Sequence, residues 1–83
     1  MHPLTALREA AHMTRAKLGQ LAGCTGQTIG RIEAGKHRPS LYLAARIAEA
    51  LNQPIDVVFP ELAEKAEFVS RVWQTSKQAS RST

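Results

Sequence analysis

The sequence predicts an all-α fold in which short helices surround one small core. Three observations support this prediction. Apolar residues recur at helical spacing along most of the chain. Glycine or asparagine follows several of these stretches, and threonine or serine precedes several of them as a helix N-cap would. The 83 residues suffice for one domain near the lower limit of independent stability, which dimerisation would increase.

Residues 14–34 predict two short helices joined by a tight turn. Apolar residues lie at helical spacing on both sides of the turn: Leu18, Leu21 and Ala22, then Ile29 and Ile32. Thr14 and Thr25 are placed to cap the two helices, because each hydroxyl can accept a hydrogen bond from a free backbone N–H. Gly23 can adopt the left-handed conformation that ends the first helix, and Gly19 leaves room for the second helix to cross closely.

Three further helices complete a predicted bundle of five. The first spans residues 1–11, the fourth begins after the cap Ser40 and ends at Asn52, and the short fifth runs from Pro54 to Phe59. Their apolar faces are predicted to close the core: Leu4, Leu7 and Ala11, then Leu43, Ala44, Ile47, Ala48 and Leu51, then Ile55, Val58 and Phe59.

Residues 61–74 predict an additional C-terminal helix, and the polar residues 75–83 are expected to be disordered. The helix has an apolar stripe, although the five-helix core is complete without it. The stripe either packs on its own core or pairs with the same helix of a second subunit, and we favour pairing. The candidates for dimerisation are Leu62, Phe68, Val69, Val72 and Trp73.

The positive charge is concentrated in the first half of the chain. The formal net charge is +4, but residues 1–47 hold seven basic and two acidic side chains, whereas the remainder holds four basic and five acidic ones. A basic surface on the half that contains the paired helices is typical of a protein that binds a polyanion.

Several classes of function receive no support from the residues. Cys24 is the single cysteine, so a disulfide framework is excluded and a reducing compartment is indicated; a redox role for Cys24 remains an alternative. His2, His12 and His37 lack metal-ligand spacing, so no metal site is expected. We also expect no catalytic residues, no cofactor, no signal peptide and no membrane segment, and therefore a cytoplasmic protein.

The sequence from residue 13 to residue 41 resembles the helix-turn-helix of the Cro/phage-repressor (Xre-type) DNA-binding family. The similarity includes the pattern I-x-x-I-E-x-G-K-x-x-P-S from Ile29 to Ser40 and extends over roughly Leu4 to Pro60. It implies a five-helix lambda-repressor-like bundle, with a DNA-binding domain over residues 1–60 and the helix-turn-helix at about 14–34. Residues 61–83 lie outside the resemblance.

The resemblance also implies roles for individual side chains. It places three base-contacting candidates on the second helix of the motif: Gln27, Thr28 and Arg31. It implies contacts to the DNA backbone from Thr14, Arg15, Lys17, Thr25, Gly26, Lys36, His37 and Arg38. An ion pair between Arg8 and Glu33 is implied as well.

Two departures from the family pattern modify these expectations. Lys17 stands where many relatives have an acidic residue, so the capping box that such a residue would complete is lost. Gly26 and Gly30 replace larger polar residues on the side expected to face DNA. We therefore expect close approach of the DNA backbone and a shorter or shape-dependent sequence code.

The function that the resemblance implies is a sequence-specific transcriptional regulator, a repressor that binds a pseudo-palindromic operator in double-stranded DNA as a homodimer. The alternative is an antitoxin-like or coactivator-like interaction module whose C-terminal helix binds a protein partner such as a toxin, and which also binds its own promoter. An enzyme is the least favoured class.

Overall fold

The computed structural model describes residues 2–62, and all of their regular structure is helical. The all-α prediction is therefore confirmed. The elements follow in this order: α1 Pro3–Ala10, α2 Arg15–Ala22, α3 Gly26–Glu33, α4 Leu41–Ala50, α5 Ile55–Val58 and a final 3-10 turn Pro60–Leu62. The helix α2 packs on both α3 and α4, while α5 packs on α4 and α1.

Side-chain caps begin the first four helices. Thr14 Oγ1 accepts from the backbone N–H of Lys17 at 3.0 Å, so the first cap of the motif forms without a capping box. The Thr25 and Ser40 hydroxyls accept equivalent bonds at the starts of α3 and α4. These three caps confirm the sequence prediction. At α1 the cap is His2, whose Nδ1 accepts from the N–H of Leu4 at 3.0 Å.

Residues with positive φ follow four of the helices, at the three positions that the sequence predicts and also at His12 after α1, where φ is 57°. Gly23 after α2 has φ 86° and Gly35 after α3 has φ 76°. Asn52 after α4 has φ 56°, a conformation that asparagine tolerates better than most residues with a side chain. The chain therefore changes direction at the places where the sequence pattern predicts that each helix stops.

The core contains the buried apolar side chains of all five helices. Its members are Leu4, Leu18, Ala22, Ile29, Ile32, Ala44, Ile47, Ala48, Leu51, Ile55, Val58 and Phe59. Three predicted members differ. Leu7 and Leu43 are half-buried at the edge of the core, and Ala11 is exposed beyond the end of α1. Leu21 is 42% exposed, because α2 buries only the side that faces α3 and α4.

Gly19 permits the close contact of α2 with the following turn. A Cβ atom there would lie 2.7 Å from the backbone carbon of Thr25 and 2.9 Å from the carbonyl oxygen of Cys24. Both neighbours are backbone atoms, which cannot rotate away as a side chain can. The prediction that Gly19 serves close packing is confirmed.

The predicted C-terminal helix and tail lie almost entirely outside the described residues. Phe68, Val69, Val72 and Trp73 belong to that part of the chain, whereas Leu62 is half-buried and packs against the core. The assignments of residues 61–74 to dimerisation and of 75–83 to a disordered tail remain predictions. Within residues 2–62, no helix has the length and apolar character needed to cross a membrane.

Candidate nucleic-acid interface

The helix α3 turns one side to the core and the other to solvent. Ile29 and Ile32 are fully or almost fully buried, whereas Gln27 and Arg31 are exposed on the opposite side. The 3.6-residue period of the helix produces this separation, since burial of the two isoleucines fixes its rotation. Two side chains able to form paired hydrogen bonds to bases are thus available to a ligand.

Thr28, the third base-contacting candidate, is less accessible. Its side chain is half-buried, and its Oγ1 lies 3.0 Å from Oγ1 of Thr25. The Thr25 hydroxyl also accepts the N–H of Thr28, so the two threonines form a local network at the start of α3. Thr28 can therefore contact DNA through its methyl group, or through a further hydrogen bond of its hydroxyl.

A basic loop follows α3. Lys36, His37 and Arg38 are all exposed, and within residues 2–62 their side chains form no hydrogen bond or ion pair with another residue. Gly35 allows the chain to leave the helix, and its N–H bonds to the carbonyl of Ile32 at 3.0 Å. The loop therefore carries cations whose charges are available to a polyanion.

A pocket of about 160 Å³ lies between this loop and the two ends of the described chain. On its border, Nε2 of His2 lies 3.0 Å from Oε1 of Glu61. Burial acts to raise the pKa of Glu61, but a backbone hydrogen bond, His2 and the charge of Arg38 together hold it below its usual range. The negative charge of Glu61 is therefore retained beside the loop. This contact could not be predicted from the sequence, since the two residues are 59 positions apart in the chain.

A three-residue ion network joins α1, α2 and α3. Arg8 Nε donates to Oε2 of Glu33 at 2.8 Å, and Arg15 Nε donates to Oε1 of the same carboxylate at 2.9 Å. Arg8 also donates to the carbonyl of Met13 at 2.8 Å. The Glu33 side chain is only 3% exposed and that of Arg8 11%, whereas Arg15 is 57% exposed. The pair implied by the resemblance is thus present, with a second arginine that was expected to bind only DNA.

The network favours the charged forms of Glu33 and Arg8. Burial acts to raise the pKa of Glu33, but the hydrogen bonds and charges of Arg8 and Arg15 outweigh it and hold that pKa below its usual range. The hydrogen bond to Glu33 in turn raises the pKa of Arg8. Two cations around one carboxylate leave a net charge of about +1 beside α3.

The expectation that Gly26 faces outward is wrong. A Cβ atom at Gly26 would lie 2.9 Å from the backbone nitrogen of Ala16 and 3.0 Å from its Cα. Gly26 therefore lies where α3 meets the start of α2. Gly30 is likewise covered in part, because a Cβ there would lie 3.6 Å from Cδ of Arg15. The two glycines serve contacts within the protein, a physical reason different from close approach by DNA.

The remaining backbone-contact candidates lie at the start of α2 and in the turn after it. Thr14 and Lys17 are exposed, although the Thr14 hydroxyl already accepts the helix N–H.

Cys24 is half-buried in the turn, and burial raises the pKa of its thiol, which disfavours the reactive thiolate. Within residues 2–62, no three His, Cys, Asp or Glu side chains are grouped to hold a metal ion.

These elements define a class of protein: a small all-α domain that holds the second helix of a helix-turn-helix outward, with cations on both sides of it. Comparison with known proteins gives the family. The helix-turn-helix family model matches residues 4–58, and the chain therefore belongs to this family, here of the Xre type, whose members are DNA-binding transcriptional regulators.

Named relatives agree with this assignment. The chain is 40% identical over 53 residues to the uncharacterized HTH-type transcriptional regulator YgzD of Bacillus subtilis (strain 168), a match that covers 64% of this chain and 80% of that protein. It is 44% identical over 46 residues to an uncharacterized HTH-type transcriptional regulator of Methanothermobacter thermautotrophicus, covering 55% of this chain and 67% of the relative. An uncharacterized HTH-type transcriptional regulator of Archaeoglobus fulgidus is 38% identical over 52 residues, covering 63% and 73%.

Proposed function

We propose that this protein is a sequence-specific transcriptional repressor that binds a pseudo-palindromic operator in double-stranded DNA as a homodimer. The observation that carries the proposal is the exposure of Gln27 and Arg31 on one side of α3 while Ile29 and Ile32 anchor the other side in the core. A helix held in this way can enter the major groove, where base edges differ among the four base pairs.

Gln27 and Arg31 select bases. The amide of glutamine can form two hydrogen bonds with adenine, and the guanidinium of arginine can form two with guanine. Each such pair discriminates against the wrong base by about 1–3 kcal/mol. Thr28 contributes through its methyl group to a thymine, or through its hydroxyl to a phosphate, since that hydroxyl is partly engaged with Thr25.

Contacts to the DNA backbone come from both sides of α3. Lys36, His37 and Arg38 supply the loop on one side, and Thr14, Arg15, Lys17 and Thr25 supply the start of α2 and the turn on the other. The exposure of the loop side chains supports this division, because cations without a partner can replace the counterions around phosphates. These contacts position the domain, and the base contacts specify the site.

Dimerisation supplies the second recognition helix. Two copies related by a two-fold axis would read half-sites about 34 Å apart, which accounts for a pseudo-palindromic operator. Leu62 and the apolar residues Phe68, Val69, Val72 and Trp73 are the proposed dimer contacts. A bound dimer excludes other proteins from the DNA it covers, so we assign repression. A stable complex with a different protein, such as a toxin, would instead favour the interaction module.

The roles of Arg31 and Arg38 can be separated by one experiment. Sites are first selected by the protein from a random pool of duplexes, and the affinities of Arg31→Ala and Arg38→Ala are then titrated on selected and scrambled sites at several salt concentrations. We expect Arg31→Ala to lose discrimination between the two sites, and Arg38→Ala to weaken both alike with a salt slope smaller by about 0.9. Equal behaviour of the two variants, or binding insensitive to salt, would contradict the assignment.

A further inference from the structure

Gly26, Gly30 and Glu33 lie on one side of α3, because residues four and three apart share a helix face. We call these three residues the glycine track. The backbone of Arg15 and Ala16 lies against Gly26, the first member of the track. The Arg15 side chain then passes Gly30, where a Cβ atom would lie 3.6 Å from Cδ and 3.7 Å from Nε. It ends at Glu33, whose Oε1 accepts from Nε at 2.9 Å.

The track restricts Arg15 at both ends of its side chain. Its backbone is fixed by the contact with Gly26 and its Nε by a carboxylate that is itself buried and bonded to Arg8. Arginine presents five N–H donors in a planar fork, and Glu33 takes only the one on Nε. Within residues 2–62 the Nη groups of Arg15 form no hydrogen bond, and the side chain is 57% exposed. The four N–H donors on the Nη groups of Arg15 are therefore held at one position and are available to a ligand.

We infer that Gly30 is a positioning residue for Arg15: the bare helix surface at Gly30 lets Glu33 hold the guanidinium beside α3, where its Nη groups bind one DNA phosphate. This inference rests on the proposed function and adds to it a residue that acts without touching DNA. An oriented guanidinium loses less conformational freedom on binding than a free one does, and so gains affinity.

A phosphate is the ligand that the charges favour. Glu33 neutralises one of the two arginines, and the remaining charge of about +1 matches a single phosphate of the DNA backbone. The track faces α2, since Gly26 and Gly30 both lie against Arg15 or Ala16, and Glu33 bonds the Arg15 guanidinium at the end of α3 farthest from Gln27. The contact is therefore expected to add affinity at every sequence alike.

The chain offers a matched pair of substitutions at Gly30. In Gly30→Ala the added methyl group would make an ordinary van der Waals contact with Arg15, so the Arg15 side chain can still pass residue 30 and reach Glu33. In Gly30→Gln we expect the longer side chain to occupy the space along which Arg15 reaches Glu33, and so to displace the guanidinium. Both substitutions favour the helix relative to glycine, so neither is expected to unfold α3. Thermal unfolding followed by circular dichroism checks that the variants are folded.

The test is a double-mutant cycle on DNA binding. The full chain, Arg15→Ala, Gly30→Ala, Gly30→Gln and the double variant Arg15→Ala/Gly30→Gln are titrated with a fluorescent duplex of mixed sequence at several salt concentrations. We expect Arg15→Ala and Gly30→Gln each to weaken binding about tenfold and to reduce the salt slope by about 0.9, while Gly30→Ala retains both affinity and slope. The double variant should bind like Arg15→Ala alone.

The outcomes separate two failures. If the unsubstituted protein shows no salt-dependent binding to the duplex, the proposed function fails and this inference fails with it. If that protein binds but Arg15→Ala binds equally well, only the inference is overturned. The same holds if Gly30→Gln weakens binding as much in the Arg15→Ala background as alone, because the glutamine then acts by obstructing DNA directly.

Discussion

The two groups of cations beside α3 are held in different ways. Arg8 and Arg15 share the buried carboxylate of Glu33, whereas Lys36 and Arg38 stand in an exposed loop and form no ion pair within residues 2–62. The first group connects three helices and so contributes to folding. We expect the second to contribute little to folding, because its side chains are exposed, and its charges remain available to a ligand. Two cations on each side therefore have unequal consequences for stability and association.

Removal of Glu33 is expected to have the largest effect on stability. Glu33→Ala leaves the guanidinium of Arg8, only 11% exposed, without its partner, and we expect the free energy of unfolding to fall by about 2–3 kcal/mol. Urea denaturation measures this change. Glu49→Ala is the matched control, since Glu49 is an exposed acid on α4 and its loss should change stability by at most about 0.5 kcal/mol. If the free energy of unfolding fell equally in the two variants, the buried ion pair of Glu33 would stabilise the protein no more than an exposed acid does.

The stability of the side of α3 that holds Arg8 and Arg15 also depends on the close contact of α2 with α3. Gly26→Ala places a methyl group about as near to the Ala16 backbone as atoms can come, so α2 must shift and we expect a loss of about 1–2 kcal/mol. Gly30→Ala has room, and removal of a helix glycine should stabilise the protein by up to about 1 kcal/mol. Urea denaturation of both variants measures the contrast. A stabilised Gly26→Ala variant would show that the two helices are not in close contact there.

Low pH should weaken the ion network of Arg8, Arg15 and Glu33. Because the arginines hold the pKa of Glu33 below its ordinary value of 4.5, the folded state favours the ionised carboxylate. This contribution to stability is fully present above that ordinary value and is lost as the pH falls from about 4.5 through the lowered pKa. Unfolding measured across this window should show a shallower decline in Glu33→Gln than in the unsubstituted protein. Glu61→Gln serves as a comparison, since Glu61 also has a lowered pKa.

The smallest effect on stability is expected in the loop. Arg38→Ala should change the free energy of unfolding by less than about 0.5 kcal/mol, because the side chain is exposed and has no bonded partner within residues 2–62. Urea denaturation of the variant checks this. A loss as large as that of Glu33→Ala would mean that the loop also belongs to the folded framework.

The elements of the fold could be predicted from the sequence because their signals are local. Each cap hydroxyl lies three residues from the N–H it accepts, as for Thr25 and Thr28, and α2, α3 and α4 end beside a glycine or an asparagine that adopts positive φ. The apolar spacing in α3 correctly predicts burial of Ile29 and Ile32. Leu21 fits the same kind of pattern but is exposed, since spacing alone does not give the width of the buried side.

The contacts that refine the site could not be predicted, because they join residues that are distant in the chain. The bond from Arg15 to Glu33 spans 18 residues, and the contact of His2 with Glu61 spans 59. The direction of Gly26 was predicted wrongly for a related reason. A glycine has no side chain whose polarity could indicate whether solvent or another helix lies beside it, and only the position of Ala16 answers that question.

The turn between α2 and α3 contains the only sulfhydryl in the protein, at Cys24. Because burial raises the pKa of this thiol, an alkylating reagent should react with it slowly until the turn opens. The unaltered polypeptide thus contains its own chemical reporter, and the labelling rate with and without DNA would follow fluctuations of the motif without any introduced probe.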